Sequence, residues 1–350
     1  MSAIPRGALR GCGNPAQDGA LPLRLVRPRL DIVPVTLPVP PPPPSRLPLA
    51  WLANQPYLLL TLTPLFWAAN AVIGRAAAGH IPPMTLSFIR WTLAFLIILP
   101  WGLRHLRADW PAIRSRLGLM ILFSATGIGA FNTLQYWALQ YTTALNVLLM
   151  QSALPLFVAL WSLALLGIRL SWGQGLGVAV SLLGVLTILM QGNLAAVTSI
   201  AFNKGDGAFL VALLVFGLYS TLQVKRPPMH ALSFLLFTFG VGTLCILPFF
   251  LWEAATQPRM EITQATLLTI GYVAVFPSIL AYLCFNRGVQ LIGGNRAAPF
   301  FHLIPVFGSA LAILFLGERP EWYHAAGYAL VLAGIAAAAR KPKAISGDAP

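Results

Sequence analysis

The chain has 350 residues, of which 57% are hydrophobic and 9% charged, where a soluble domain carries roughly 25% charged residues. A soluble globule with an ordinary polar surface is therefore excluded. The net charge of +14 is scattered over the ends of apolar runs and one tail, which suits a membrane protein and argues against a nucleic-acid binder.

Residues 1–50 differ in composition from the rest, with several Arg, many Pro and an unbroken run Pro40–Pro44. Such a segment cannot bury a core, and it is expected to be a disordered, extended tail. It also lacks the continuous apolar stretch of a signal peptide. Beyond it, apolar runs of about 20 residues recur, the length of a bilayer-crossing helix. The first spans about Tyr57–Ala77 and the second about Met84–Leu103. A basic stretch with Arg104, Arg107, Arg114 and Arg116 follows and reads as a loop. The third span is about Leu117–Leu139, the fourth Ala144–Leu166 and the fifth Gly173–Gln191. A polar link reaching Asp206 precedes the sixth, about Gly207–Val224. The seventh is about Ala231–Trp252, the eighth Ala265–Phe285, the ninth Arg296–Leu316 and the tenth Trp322–Ala339.

The chain repeats itself. At a single offset of about 150 residues, Pro155 falls on Pro305, Gly167 on Gly317, Trp172 on Trp322, Gly177 on Gly327 and Gly184 on Gly334. The expected fold is an all-α polytopic membrane protein whose ten transmembrane helices form two five-helix repeats, 56–191 and 207–339, with a cytoplasmic tail at 340–350. Because five is odd, homologous halves must be inverted with respect to each other, the plan of many secondary transporters. With both termini inside, the inner loops hold most of the Lys and Arg, so the termini are expected to be cytoplasmic. The expected location is the bacterial inner membrane.

The nine acids all fall in tails, loops or span ends. A mid-membrane carboxylate relay and a permanently cationic substrate are therefore not expected. Cys12, Cys245 and Cys284 are far apart and give no metal spacing, and no cofactor or metal is expected. Arg90, about a third of the way into the second span, either attracts an anionic solute or pairs with backbone carbonyls and snorkels. His302, deeper in the ninth, either donates to a substrate carboxylate or makes a neutral interhelical hydrogen bond. Pro155 and Pro305 each free a backbone carbonyl inside an apolar run, and as a matched pair they mark a hinge or binding site. Trp67, Asn70, Asn132, Gln135 and Tyr136 are candidates to line a substrate cavity. So are Gln151, Tyr219 and Tyr282, with Ser220, Tyr272 and Ser278 nearby; each could equally stitch helices together. The small-residue patterns GQGLGVAVSLLG and AAGYALVLAG, in the fifth and tenth spans, allow close helix approach. They suit scaffold, a contact between halves, or a homodimer.

The WAAN element at 67–70, YTTALNVLL at 141–149 and APFFHLIPVFGSALAILFLGE at 298–318 resemble ten-helix EamA-type permeases of the drug/metabolite transporter superfamily. The resemblance covers about 57–339. It implies two homologous halves, alternating access and transport of small metabolites such as amino acids. Glu318 follows the glycine as in that family, whereas the first half has Ile168 there. The expected function is a secondary transporter for a small neutral, zwitterionic or anionic metabolite, with export as one direction; its partners are the solute and the lipid bilayer. The competing reading is a non-transporting membrane protein, either a lipid-handling enzyme or a scaffold.

Overall fold

The computed structural model describes residues 51–167, 172–192, 203–258 and 260–339. The proline-rich tail, Ile168 and residues 340–350 lie outside them. Among the described residues every regular element is helical. These elements are α1 (Pro56–Ala76), α2 (Pro83–Ser115), α3 (Leu117–Ala138), α4 (Ala144–Gln151), α5 (Leu154–Leu166) and α6 (Trp172–Leu189). Then follow α7 (Lys204–Leu222), α8 (Ala231–Thr256), α9 (Gln264–Ile292), α10 (Leu303–Leu316) and α11 (Trp322–Ala339). Helices α1, α2, α3, α7, α8 and α9 are each long and apolar enough to cross a membrane. Helices α4 and α5 qualify together, bent by 44° at their junction, and α6, α10 and α11 are shorter apolar helices. The protein is an integral membrane protein of bundled helices.

Three expectations are corrected. The basic stretch after Leu103 is not a loop, because α2 runs on to Ser115. Its Leu103 and Leu106 pack on apolar clusters of α8, and Ile113 is fully buried beside Phe123 and Phe234. A helical apolar stripe therefore continues beneath the charges. Asp206 is not in a link: it is buried in the first turn of α7. The ninth span is not continuous. It enters as a short turn, Gly294–Ala297, passes through a 3-10 segment, Ala298–His302, and only then becomes α10.

Helix α2 lies antiparallel to α8, and each carries the other's cap. The Glu253 carboxylate, near the end of α8, accepts from the Met84 and Thr85 backbone N–H groups at 3.1 and 2.7 Å. Asp109, near the end of α2, accepts from His230 N at 2.9 Å and from the Ser233 hydroxyl at 2.5 Å. The first N–H groups of a helix have no intrahelical partner, so each acid fills a need of its neighbour. Glu318 does the same for α4, accepting from Ala144 N and Leu145 N at 2.9 and 2.8 Å. The remaining pairings form a pattern. Helix α1 packs on α9 and α10, α7 packs on α3 and α5, and α6 packs on α11.

The backbones of α6 and α11 come into contact along their seam. A Cβ added at Gly184 would lie 2.5 Å from the Gly327 carbonyl oxygen, and one at Gly334 would lie 2.4 Å from the Gly177 carbonyl oxygen. The Ser181 hydroxyl donates across the seam to the Val331 carbonyl at 3.1 Å. Small residues let the backbones touch where no hydrophobic drive separates protein from lipid. The small-residue spans expected to form a contact between halves thus pack on each other. Gly184→Leu should lower stability by about 1–3 kcal/mol, the usual result of overpacking, and visibly depress the Tm of the detergent-solubilised protein. Gly118→Ala, where an added Cβ meets nothing within 4 Å, is the control that should leave the Tm in place.

Candidate functional site

Two stretches of π-helix shape the interior. They are Ser124–Ala130 within α3 and Phe276–Leu280 within α9, related by the same offset of about 150 residues. A π turn adds a residue and leaves a carbonyl without its usual donor, and such turns gather at functional sites. Here a side chain in or just after each π turn donates to the carbonyl five residues before it. Asn132 Nδ2 donates to the Gly127 carbonyl at 3.3 Å, and the Ser278 hydroxyl donates to the Val273 carbonyl at 2.7 Å. Local sequence favours these turns, since Gly127 and Gly129 sit in one and Pro277, which has no N–H, in the other.

Arg90 lies between them, only 2% exposed. Its Nε donates to the Ser278 hydroxyl at 2.6 Å. Its Nη1 donates to Asn132 Oδ1 at 3.0 Å, to Asn70 Oδ1 at 3.1 Å and to the Tyr136 hydroxyl at 2.7 Å. Tyr136 in turn donates to Asn70 Oδ1 at 2.6 Å. The guanidinium also stacks over the Trp91 ring at 4.4 Å, a favourable cation–π contact. All of these partners are neutral. Among the described residues no carboxylate bonds to Arg90, and none of its hydrogen bonds comes from Nη2. Beside it, the buried indole N–H of Trp91 has no acceptor. The centre therefore carries a positive charge and spare donors, while its own acceptors are already engaged.

One turn away is an aromatic box. Trp67 stacks on Phe301 at 5.5 Å and meets Tyr282 at 5.7 Å and Phe285 at 5.9 Å. Its indole N–H donates to the Pro277 carbonyl in the π turn, at 3.2 Å. Trp67 and Asn70 are three apart on α1, and Ser278 and Tyr282 are four apart on α9, so box and cation share the same two helix faces. Phe301 comes from the 3-10 segment before α10.

The sequence-derived candidates divide accordingly. Trp67, Asn70, Arg90, Asn132, Tyr136 and Tyr282 come together. Gln135 is buried on α3, 3% exposed, without a bond to Arg90. Tyr219 covers Gly127, where an added Cβ would lie 2.5 Å from its ring, and packs on Phe123 and Phe216. Gln151 is half-buried at the end of α4. His302 is exposed and stands apart from the Arg90 network, whereas Pro305 is buried. Pro155 and Pro305 both sit in the first turn of the second piece of a broken helix, α5 and α10. At the first break the Ser152 hydroxyl is buried without a partner. Sequence reasoning passed over Trp91 as a site residue, and it gave no role to Asp206 or to His324. A histidine at the third position of an apolar helix was the available signal for the last.

Removing the Tyr136 hydroxyl leaves Arg90 short of an acceptor and Asn70 short of a donor. Tyr136→Phe should cost about 1.5–3 kcal/mol, the range for hydrogen bonds to a charged group, read as a lower Tm. Tyr282→Phe, whose hydroxyl makes no bond to a described residue, should shift it little.

Comparison with known proteins gives a consistent picture. Residues 54–190 and 203–340 each match the EamA-like transporter family. An uncharacterized transporter of Archaeoglobus fulgidus is 26% identical over 288 residues, covering 81% of this chain and 96% of its own. A probable terminal-alkyne amino-acid exporter of Streptantibioticus cattleyicolor is 27% identical, covering 79% and 90%. One crystal structure superposes with a TM-score of 0.55 at 18% identity, covering 82% of this chain and 98% of that one, a likeness of fold.

Proposed function

Because the chain belongs to the EamA-like transporter family, we propose that it moves a small amphipathic metabolite bearing a carboxylate across the membrane, without catalysing a reaction. The carrying observation is the Arg90 centre: a buried guanidinium with no acid beside it, a spare Nη2 and an aromatic box one turn away. An arginine at membrane depth costs about 2.5–3.5 kcal/mol on an insertion scale. A solute carboxylate supplies the missing counter-charge, and the Trp67 box takes the solute's apolar part. Exclusion of cationic solutes follows from the same charge. The related amino-acid exporter of S. cattleyicolor supports this solute class and the export direction.

In this reading the helices form ten spans in two inverted halves, and the bacterial inner membrane holds both termini on its cytoplasmic face. In support, the helix pairings come in matched sets: α1 on α9 mirrors α7 on α3, and α1 on α10 mirrors α7 on α5. The broken spans α4–α5 and 294–316 are the elements that flex during alternating access, with Pro155 and Pro305 at the breaks. His302, being exposed, stands outside this site.

Two experiments test the reading. Reporter fusions after Lys204 and after Met260 should report outside, and one after Arg116 inside; the opposite sign at Arg116 overturns the topology. In a solute-accumulation screen with and without the expressed protein, carboxylate-bearing metabolites should change. Arg90→Ala should then weaken transport of the active solute by about ten- to a hundredfold at low concentration, the equivalent of one charge-assisted hydrogen bond. A cationic solute moved equally well by wild type and Arg90→Ala would refute the site.

A further inference from the structure

A second polar cluster lies away from Arg90, where the α3–α4 turn meets the first turns of α7 and α11. Asp206 is 3% exposed, Thr142 3%, Asn146 6% and His324 6%. The Thr142 hydroxyl donates to Asp206 Oδ1 at 2.5 Å. Asn146 Nδ2 reaches Thr142 Oγ1 at 3.2 Å and Asp206 Oδ1 at 3.5 Å. Its Oδ1 lies 2.9 Å from His324 Nε2. His324 Nδ1 accepts from the Glu321 backbone N–H at 2.9 Å.

The bonding fixes the histidine's state. A backbone N–H can only donate, so Nδ1 must carry a lone pair. Nε2 then carries the hydrogen and donates to Asn146 Oδ1, which turns the Asn146 amide toward Thr142 and Asp206. The neutral imidazole is thus one link in a directed chain from α11 through α4 to α7. It also serves α11 itself, since a side chain at the third position that accepts from the cap residue's N–H holds the first turn. A proton added at Nδ1 would set two donors face to face at 2.9 Å and open that turn.

The chain is placed where it matters mechanically. Helix α11 packs chiefly on α6. The pair meets the rest through the His324–Asn146 bond, through Ile188 and Tyr328 on the main apolar core, and through a patch of Ala153, Val185 and Val331. A cavity of about 310 Å³ opens beside the cluster, lined in part by Asn146 and His324, so water reaches it. The other titratable or charged groups facing it are Glu321 and Tyr323 on the same turn, Asp206 on α7, Tyr141 in the α3–α4 turn, Glu318 and Arg319 before α11, and Arg75 at the end of α1.

We propose that His324, Asn146 and Asp206 form a proton-binding site at this mouth: with His324 neutral it latches α11 and α7 to α4, and protonation of His324 loosens the first turn of α11 from α4. The proposal takes from the transport reading only that this mouth faces outside. On that reading the site couples outer opening to the proton concentration there.

Hydrogen–deuterium exchange on the full-length protein in nanodiscs tests it without any solute. Protection is corrected at each pH by an unfolded reference. Between about pH 8 and about pH 5, where an imidazole changes charge, protection over residues 144–150 and 322–327 should fall at least about threefold, the loss expected for one hydrogen bond. Mid-helix α8 should not change. His324→Gln, which keeps a donor and an acceptor but does not titrate, should stay protected at both ends of the range. Asp206→Asn, which removes the anion at the far end of the chain, should be less protected at about pH 8 than the wild type. A flat wild-type profile overturns the proposal. So does a His324→Gln protein that titrates like the wild type, because the effect would then belong to a group other than His324. Failure of the solute screen would refute transport and leave this result standing.

Discussion

A guanidinium buried without a carboxylate sets the terms for the interior. A charge in a low-dielectric surround is tolerated only when its surroundings are polarised toward it. Arg90 achieves this with neutral oxygens from α1, α3 and α9. Two of those oxygens are available because π turns place Asn132 and Ser278 opposite it. The irregular backbone, the three converging helices and the positive centre are therefore one arrangement. Undoing any part leaves either a carbonyl or the cation unsatisfied.

The acids are kept out of this centre and put to different use. Glu253, Asp109 and Glu318 each end up at the start of another helix, where free N–H groups and the helix dipole favour negative charge. Each bond crosses between elements far apart in the chain, so these carboxylates act as staples between helices. The anions that hold the bundle together thus lie at helix ends, apart from the buried cation.

Much of the fold was legible in the sequence. Apolar run lengths located most of the helices; Pro155 and Pro305 fall in the first turn after the breaks at α4–α5 and before α10, although the ninth span was expected to be continuous. The polar candidates on the first and third spans, Asn70, Asn132 and Tyr136, do surround Arg90. What could not be read was anything that depends on register. The π turn at Ser124–Ala130 rotates the second half of α3, so no single helical wheel places Thr126 with Asn132; Thr126 bonds back to Leu122 instead. Burial of Asp206 was hidden because a polar stretch adjoins it, and only Gly205, packed against the Ala138 carbonyl, lets that turn come close. The reach of α2 to Ser115 was masked by its arginines, although an apolar stripe ran beneath them.

The α6–α11 seam also bears on how the protein is made. Helix α6 emerges from the ribosome at mid-chain, while its partner is the last described helix, about 150 residues later. At about 5–20 residues per second, the glycine face of α6 waits roughly eight to thirty seconds for its match. During that interval α6 can lean on α4 and α5, already made, but its glycine face has only lipid to meet. Truncation a few residues short of α11 would therefore strand α6 as well, so that damage at the end of the chain is felt at its middle.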